Sequence, residues 1–285
     1  MEQYRDKQEK RQLELLIMKN SKNYGLSNKS NIEWHKDANG EPKKGPEGHL
    51  LSSNISCINH LFYLRQNLEL ATLVLKNIDN RVTSAEKIED GYVAFEIIGK
   101  NNYLNELEHK RGTMSTSIDA LMIGKKENGK NIIFCIEWKW TEKYYETIDF
   151  KPRRYKIYKT LLELDNCPII TNELIKDNYS SLLYYEPFYQ LMRQTLLGWK
   201  MVEAGEYNSD EYIHIHVIPN ENILLRKTIT APQLKTKGNS MSDVWCKLLK
   251  EPKKYKVIDP KEIFDPIVNN ENISLLIEYL RMRYW

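Results

Sequence analysis

Residues 132–136 form an unbroken apolar run that passes directly into the alternating tetrapeptide Glu137-Trp138-Lys139-Trp140. A run of this length and composition predicts a buried strand. Side chains alternate across a strand, so Glu137 and Lys139 share one face while Trp138 and Trp140 share the other. A second, largely apolar run, residues 117–123, precedes it across a turn at 125–130 that carries Gly129. The pattern predicts an antiparallel hairpin. That pairing brings Asp119 beside Glu137 and Lys139, placing two carboxylates and one ammonium on a single sheet surface. Charges at such a place are costly to desolvate unless they are paired or put to use.

The other elements follow from the same periodicities. Residues 2–19 predict a charged helix whose last turns carry Leu13, Leu15, Leu16, Ile17 and Met18, and residues 19–48 a long polar loop. Residues 50–77 predict a helix capped by Ser52 or Ser53. Residues 91–98 predict a strand that contains Glu96, and Glu106 follows in the polar segment 101–112. Three strands after a helix point to an α/β sandwich. Residues 185–204 predict a second strong helix, with Pro187 near its first turn. Gln190 and Gln194, spaced i, i+4, share one of its faces, with Arg193 beside them. Residues 211–219 alternate as a strand through Tyr212, Ile213, Ile215 and Val217. Its His214-x-His216 pair has no third ligand evident nearby, so solvent-facing histidines explain it better than a metal site does. Short helices at 241–249 and 273–284 complete the chain. The expected organisation is one domain: an N-terminal helix and loop (1–49), a core (50–219) and a C-terminal helical extension (220–285).

Composition narrows the class. The chain has 285 residues, 41% of them hydrophobic and 28% charged, with a mean hydropathy of −0.60. That describes a globular protein with room for a substantial core. No run approaches the roughly 18 apolar residues of a membrane span. The opening MEQYRDKQEKRQLELL is charged where an export signal would be apolar. Cys57, Cys135, Cys167 and Cys246 are scattered, without C-x-x-C spacing, as in a reduced cytoplasmic protein. The formal net charge of +3 permits a nucleic-acid partner without arguing for one.

Chemistry concentrates on the hairpin. Hard oxygen ligands from Asp119 and Glu137, helped by a backbone carbonyl near Trp138, suit Mg²⁺. Such an ion polarises a phosphodiester and acidifies a bound water. Lys139 would orient that water or offset charge building on the phosphate oxygens. The acid-x-Lys tripeptide alone means little, since it recurs at Glu41, Glu108, Asp149, Glu251 and Asp259. Only Glu137 follows a buried run and has an aspartate on a partner strand. Residues 141–159 interleave aromatic and basic side chains, among them Lys143, Arg153, Arg154 and Lys156. That mixture suits phosphate contact plus base stacking, although a solvated helix face has the same composition.

Asp119 followed by Glu137-Trp138-Lys139 resembles the D…ExK signature of the PD-(D/E)XK nuclease superfamily in its restriction-endonuclease-like form. RGTMSTSIDA before the hairpin, TEKY after it and FYQLMRQTLLGW on the next helix resemble one bacterial branch of restriction-type nucleases. The similarity runs from about residue 51 to the terminal YLRMRYW. It implies an αβββαβ core with a central mixed sheet flanked by helices, and Mg²⁺-dependent DNA phosphodiester hydrolysis with Mn²⁺ as a substitute, in restriction or phage defence. Carried over by position, Asp119 and Glu137 would be metal ligands and Lys139 the catalytic lysine. Glu106, taken ahead of Glu96, would be the supporting acid. Gln190 and Gln194 stand where some branches carry a helix glutamine that contacts the site. Arg193, with the basic residues of 141–159, would contact DNA. Ile118 replaces the name-giving proline. A homodimer fits cutting of both strands. Two alternatives stay open: a binding protein on a nuclease-like scaffold, and cleavage of RNA or tRNA from the same site.

Overall fold

The computed structural model describes residues 52–111, 115–144, 152–170 and 179–285, with the side chains of 152–154 and 179–181 excepted. The expected N-terminal helix and the 19–48 loop lie outside these residues. The first described helix, α1 (Ser53–Leu61), is capped by Ser52, whose hydroxyl accepts from the Ile55 amide at 3.3 Å. The single helix expected over 50–77 is two. A 3₁₀ turn, Phe62–Gln66, ends at Asn67, whose extended backbone and side-chain bond to the Leu70 amide (3.0 Å) start α2 (Leu68–Ile78) afresh. The break has a packing cause: the buried Arg65 pairs with Asp90, and its carbonyl accepts from the Tyr92 amide. Gly91 makes the approach possible, because a Cβ there would stand 2.4 Å from Arg65 Cγ.

The sheet has six strands: β1 (Val82–Glu86), β2 (Ala94–Ile97), β3 (Ile118–Lys126), β4 (Asn131–Trp138), β5 (Ser209–Val217) and β6 (Tyr255–Ile258). The predicted hairpin is β3 and β4, paired antiparallel. β1 and β2 both run antiparallel along the far edge of β3, one beside each half of it. β5 joins β4 in parallel and β6 joins β5 in parallel, so the sheet is mixed. Two strands escape the periodicity reading. Val82–Glu86 is a short polar VTSAE, and Tyr255–Ile258 lies inside the expected helical extension, which therefore supplies a strand as well as helices.

Residues 132–138 are all buried, as befits a central strand covered on both faces. One face packs against α3 (Pro152–Leu162), α4 (Phe188–Glu203) and α6 (Met241–Lys247), which follows the short α5 (Ile223–Lys227). The other packs against α1, α2, α7 (Pro260–Phe264) and α8 (Ser274–Arg283). The result is a mixed sheet between two helical layers. Among the described residues no helix is long and apolar enough to cross a membrane.

Candidate active site

Register builds the site. In the hairpin Ala120 pairs with Ile136, so one step further Asp119 faces Glu137. On the other side of β3, Phe95 pairs with Ala120 and Ile97 with Ile118, which sets Glu96 against Asp119. On the other side of β4, Glu137 pairs directly with His216. Glu96, Asp119, Glu137 and His216 thus form a row across four neighbouring strands. Glu96 breaks its own strand with φ 53°, a left-handed backbone rarely adopted by a non-glycine residue. Its carboxylate accepts from Asn54 Nδ2 of α1 at 3.0 Å.

Glu137 is 1% exposed, and two donors hold it. Lys139 Nζ lies 2.7 Å from Oε1, and Gln194 Nε2 of α4 donates to Oε2. Asp119 is half-buried, and its Oδ2 accepts from the Trp138 amide at 2.8 Å. Burial, reinforced by the charge of Glu137 and then of Glu96, pushes the Asp119 pKa well above its usual value, against the opposing pull of Lys139. At Lys139 burial works against the ammonium, but Glu137, Asp119 and Glu142 outweigh it, and its pKa ends well above normal. The Trp138 indole points away, to the other face, where Nε1 donates to Ser56 Oγ at 3.0 Å.

The remaining expected residues scatter more widely. Glu106 does not join the acidic row. Its carboxylate accepts from the Thr116 amide (2.6 Å), the Thr116 hydroxyl (2.5 Å) and the Tyr158 hydroxyl, bracing the approach to β3. Gln190 stops short of Glu137, with its Oε1 3.5 Å from the Tyr144 hydroxyl. Arg193 lies with its guanidinium carbon 4.5 Å from the centre of the Tyr189 ring, and Nη1 reaches Thr116 Oγ1 at 3.4 Å. Lys143 and Lys156 are exposed, whereas the side chains of Arg153 and Arg154 lie outside the described residues.

Four groups enter that the sequence reading did not place here. Glu96 replaces Glu106 as the acid nearest Asp119. Glu186, just before α4, has its pKa raised by burial against the pull of Arg193 and Lys139. His214 and His216, expected on a solvent face, are both 1% exposed, because the parallel pairing of β5 leaves it covered by α4. His216 Nδ1 lies 3.1 Å from the Tyr255 hydroxyl. Burial, then Lys139, drives the His216 pKa well below normal. The one available signal was the β-branched Ile213, Ile215 and Val217 alternating with the histidines, which suits a strand with two buried faces.

Among the described residues no three His, Cys, Asp or Glu side chains already stand in a group that could hold a metal ion. The donor chemistry nonetheless fits a hard divalent cation. Glu96, Asp119 and Glu137 bring hard oxygen donors to neighbouring strands beside a single ammonium, and burial, then the charges of Glu137 and Glu96, drives Asp119 toward its neutral form.

A family model described as "Restriction Endonuclease associating with ARP" matches residues 2–285. No curated protein matches the chain, and no solved structure does.

Proposed function

The chain belongs to that restriction-endonuclease family, and from this premise we propose that it is a metal-dependent DNA endonuclease built on Asp119, Glu137 and Lys139. The observation that carries the reading is the row of Glu96, Asp119 and Glu137 across three strands with Lys139 at its end. Asp119 and Glu137, with the Trp138 carbonyl, would hold Mg²⁺ or Mn²⁺, and Glu96 is the supporting acid. The bound ion would supply Lewis acidity toward a phosphodiester oxygen. Lys139, charged throughout the neutral range, orients the attacking water and offsets charge on the phosphate oxygens. Gln194 and Lys139 together fix the plane of the Glu137 carboxylate. A role in restriction or phage defence, action in the cytoplasm and a homodimer belong to the same proposal. The family's description adds ARP as a proposed partner.

One observation favours a second reading, a binding scaffold without catalysis: Lys139 Nζ pairs with Glu137 Oε1, an oxygen that would otherwise ligate a cation. The deciding experiment incubates the protein with supercoiled DNA, linear DNA and labelled RNA in Mg²⁺, Mn²⁺ or EDTA. Metal-dependent cutting of DNA that falls at least about 100-fold in Lys139→Ala and is lost in Asp119→Ala is the expected result. Undiminished cutting in both variants sinks the proposed site. DNA binding that persists in EDTA with no cutting under any ion establishes the scaffold instead.

A further inference from the structure

The amide of Gln194 touches three different groups, and only one orientation suits all of them. Nε2 donates to Glu137 Oε2 and to the Ser117 carbonyl at 3.1 Å, both of which can only accept. Oε1 lies 3.2 Å from His214 Nε2. Since an amide oxygen only accepts, His214 Nε2 must carry the proton. The other ring nitrogen agrees, because Nδ1 lies 3.0 Å from Thr195 Oγ1, a hydroxyl free to donate to it. Turned over, the glutamine would set its oxygen against a carboxylate and a carbonyl, whichever nitrogen of His214 carries the proton. Thr195, His214, Gln194 and Glu137 are each no more than 2% exposed, so water offers no substitute partner.

We propose that His214 is a positioning residue for Glu137: its Nε2–H anchors the Gln194 oxygen and so holds the amide in place against the carboxylate. The claim rests on the nuclease reading only for its catalytic consequence; the hydrogen-bond chain itself stands apart from it. Burial holds the His214 pKa down at about 3, so the neutral ring that the chain requires persists at any working pH. The chain also explains why Gln190, one turn earlier on α4, is not interchangeable with Gln194. Its amide oxygen has a long contact with the Tyr144 hydroxyl at 3.5 Å, where Gln194 has an imidazole.

The test compares wild type, His214→Met and His214→Gln, the last of which returns a donor near the Nε2 position. Each is assayed for cleavage of supercoiled DNA and, by calorimetry, for binding of Mn²⁺ alone. His214→Met should lower kcat by about 10- to 100-fold with KM for DNA unchanged, and should weaken Mn²⁺ binding about tenfold. His214→Gln should recover most of both. Equal behaviour of wild type and His214→Met overturns the proposal, as does a His214→Gln variant as impaired as His214→Met. If His214→Met does not fold, Thr195→Val, which removes the hydroxyl facing Nδ1, carries the same test. A smaller loss in the same direction is then expected, and no change overturns the proposal. If wild type neither cuts DNA nor binds Mn²⁺, the nuclease reading has failed, and the chain is judged from the Gln194 side-chain amide resonances. They should move in His214→Met and hold in His214→Gln; a shift absent from His214→Met overturns the proposal.

Discussion

Asp119 stands between two other carboxylates on the edge of a buried surface, and in the metal-free protein its ionisation is a cost. Its folded-state pKa lies well above the ordinary 3.8. A carboxyl raised in this way contributes stability below its unfolded pKa and loses it as pH rises through the folded one. Asp119→Asn, measured in EDTA, should therefore gain stability relative to wild type as pH rises from about 4 to 8. Urea unfolding at both ends of that range reads the difference, and a constant difference would show that Asp119 is not strained by its neighbours. Asp119, Glu137 and Lys139 were legible from alternation in two strands. Glu96 was not, because its place depends on a left-handed backbone inside a strand, which no residue pattern announces. Glu106 precedes the motif in the chain just as plausibly, yet it spends its oxygens on Thr116 and Tyr158.

At the level of elements, the site needs α4 to lie close against β4 and β5. Gly198, one turn after Gln194, permits the approach: a Cβ there would stand 3.0 Å from Cys135 Sγ and 3.2 Å from Tyr212 Cδ2. Gly198→Ala gains about 1 kcal/mol of helix propensity but meets an overpacking cost of about 1–3 kcal/mol. The expected net effect is a loss of up to about 2 kcal/mol, larger in Gly198→Val, by the same two principles. Cleavage should fall with it while DNA binding holds, because the lifted helix withdraws Gln194 from Glu137. An Ala variant more stable than wild type by urea unfolding would contradict this close fit. The hairpin, α4 and β5 could all be read from periodicity. β1 and β6 could not, being four or five residues long and held by neighbours far away in sequence. Nor could the burial of His214 and His216, which follows from the parallel pairing of β5 and from the helical layer above it.

At the scale of the whole molecule, three imidazoles among the described residues are buried in neutral form. Burial lowers His60 and His214 to about 3 and His216 well below its usual value. Histidines depressed on folding contribute stability above their unfolded pKa of 6.5, and it is lost as pH falls. Asp119 and Glu186, both raised, act in the opposite sense but are fewer. The protein should lose on the order of 1–3 kcal/mol of stability between pH 7 and pH 5, at about 1.4 kcal/mol per unit for each net proton. Denaturant titrations at the two pH values test this, and equal stabilities would mean that the rings are not sealed. His214 belongs to both stories, which links them through a single chain of contacts. Glu96, Asp119, Glu137 with Lys139, Gln194 and His214 come from five separate stretches of one sheet and one helix. That dispersal sets the smallest unit that heredity or an engineer could move intact. A graft of the hairpin alone would carry two acids and a lysine to a new host and leave behind the amide and imidazole that aim them. The transferable piece is the whole span from β2 to β5.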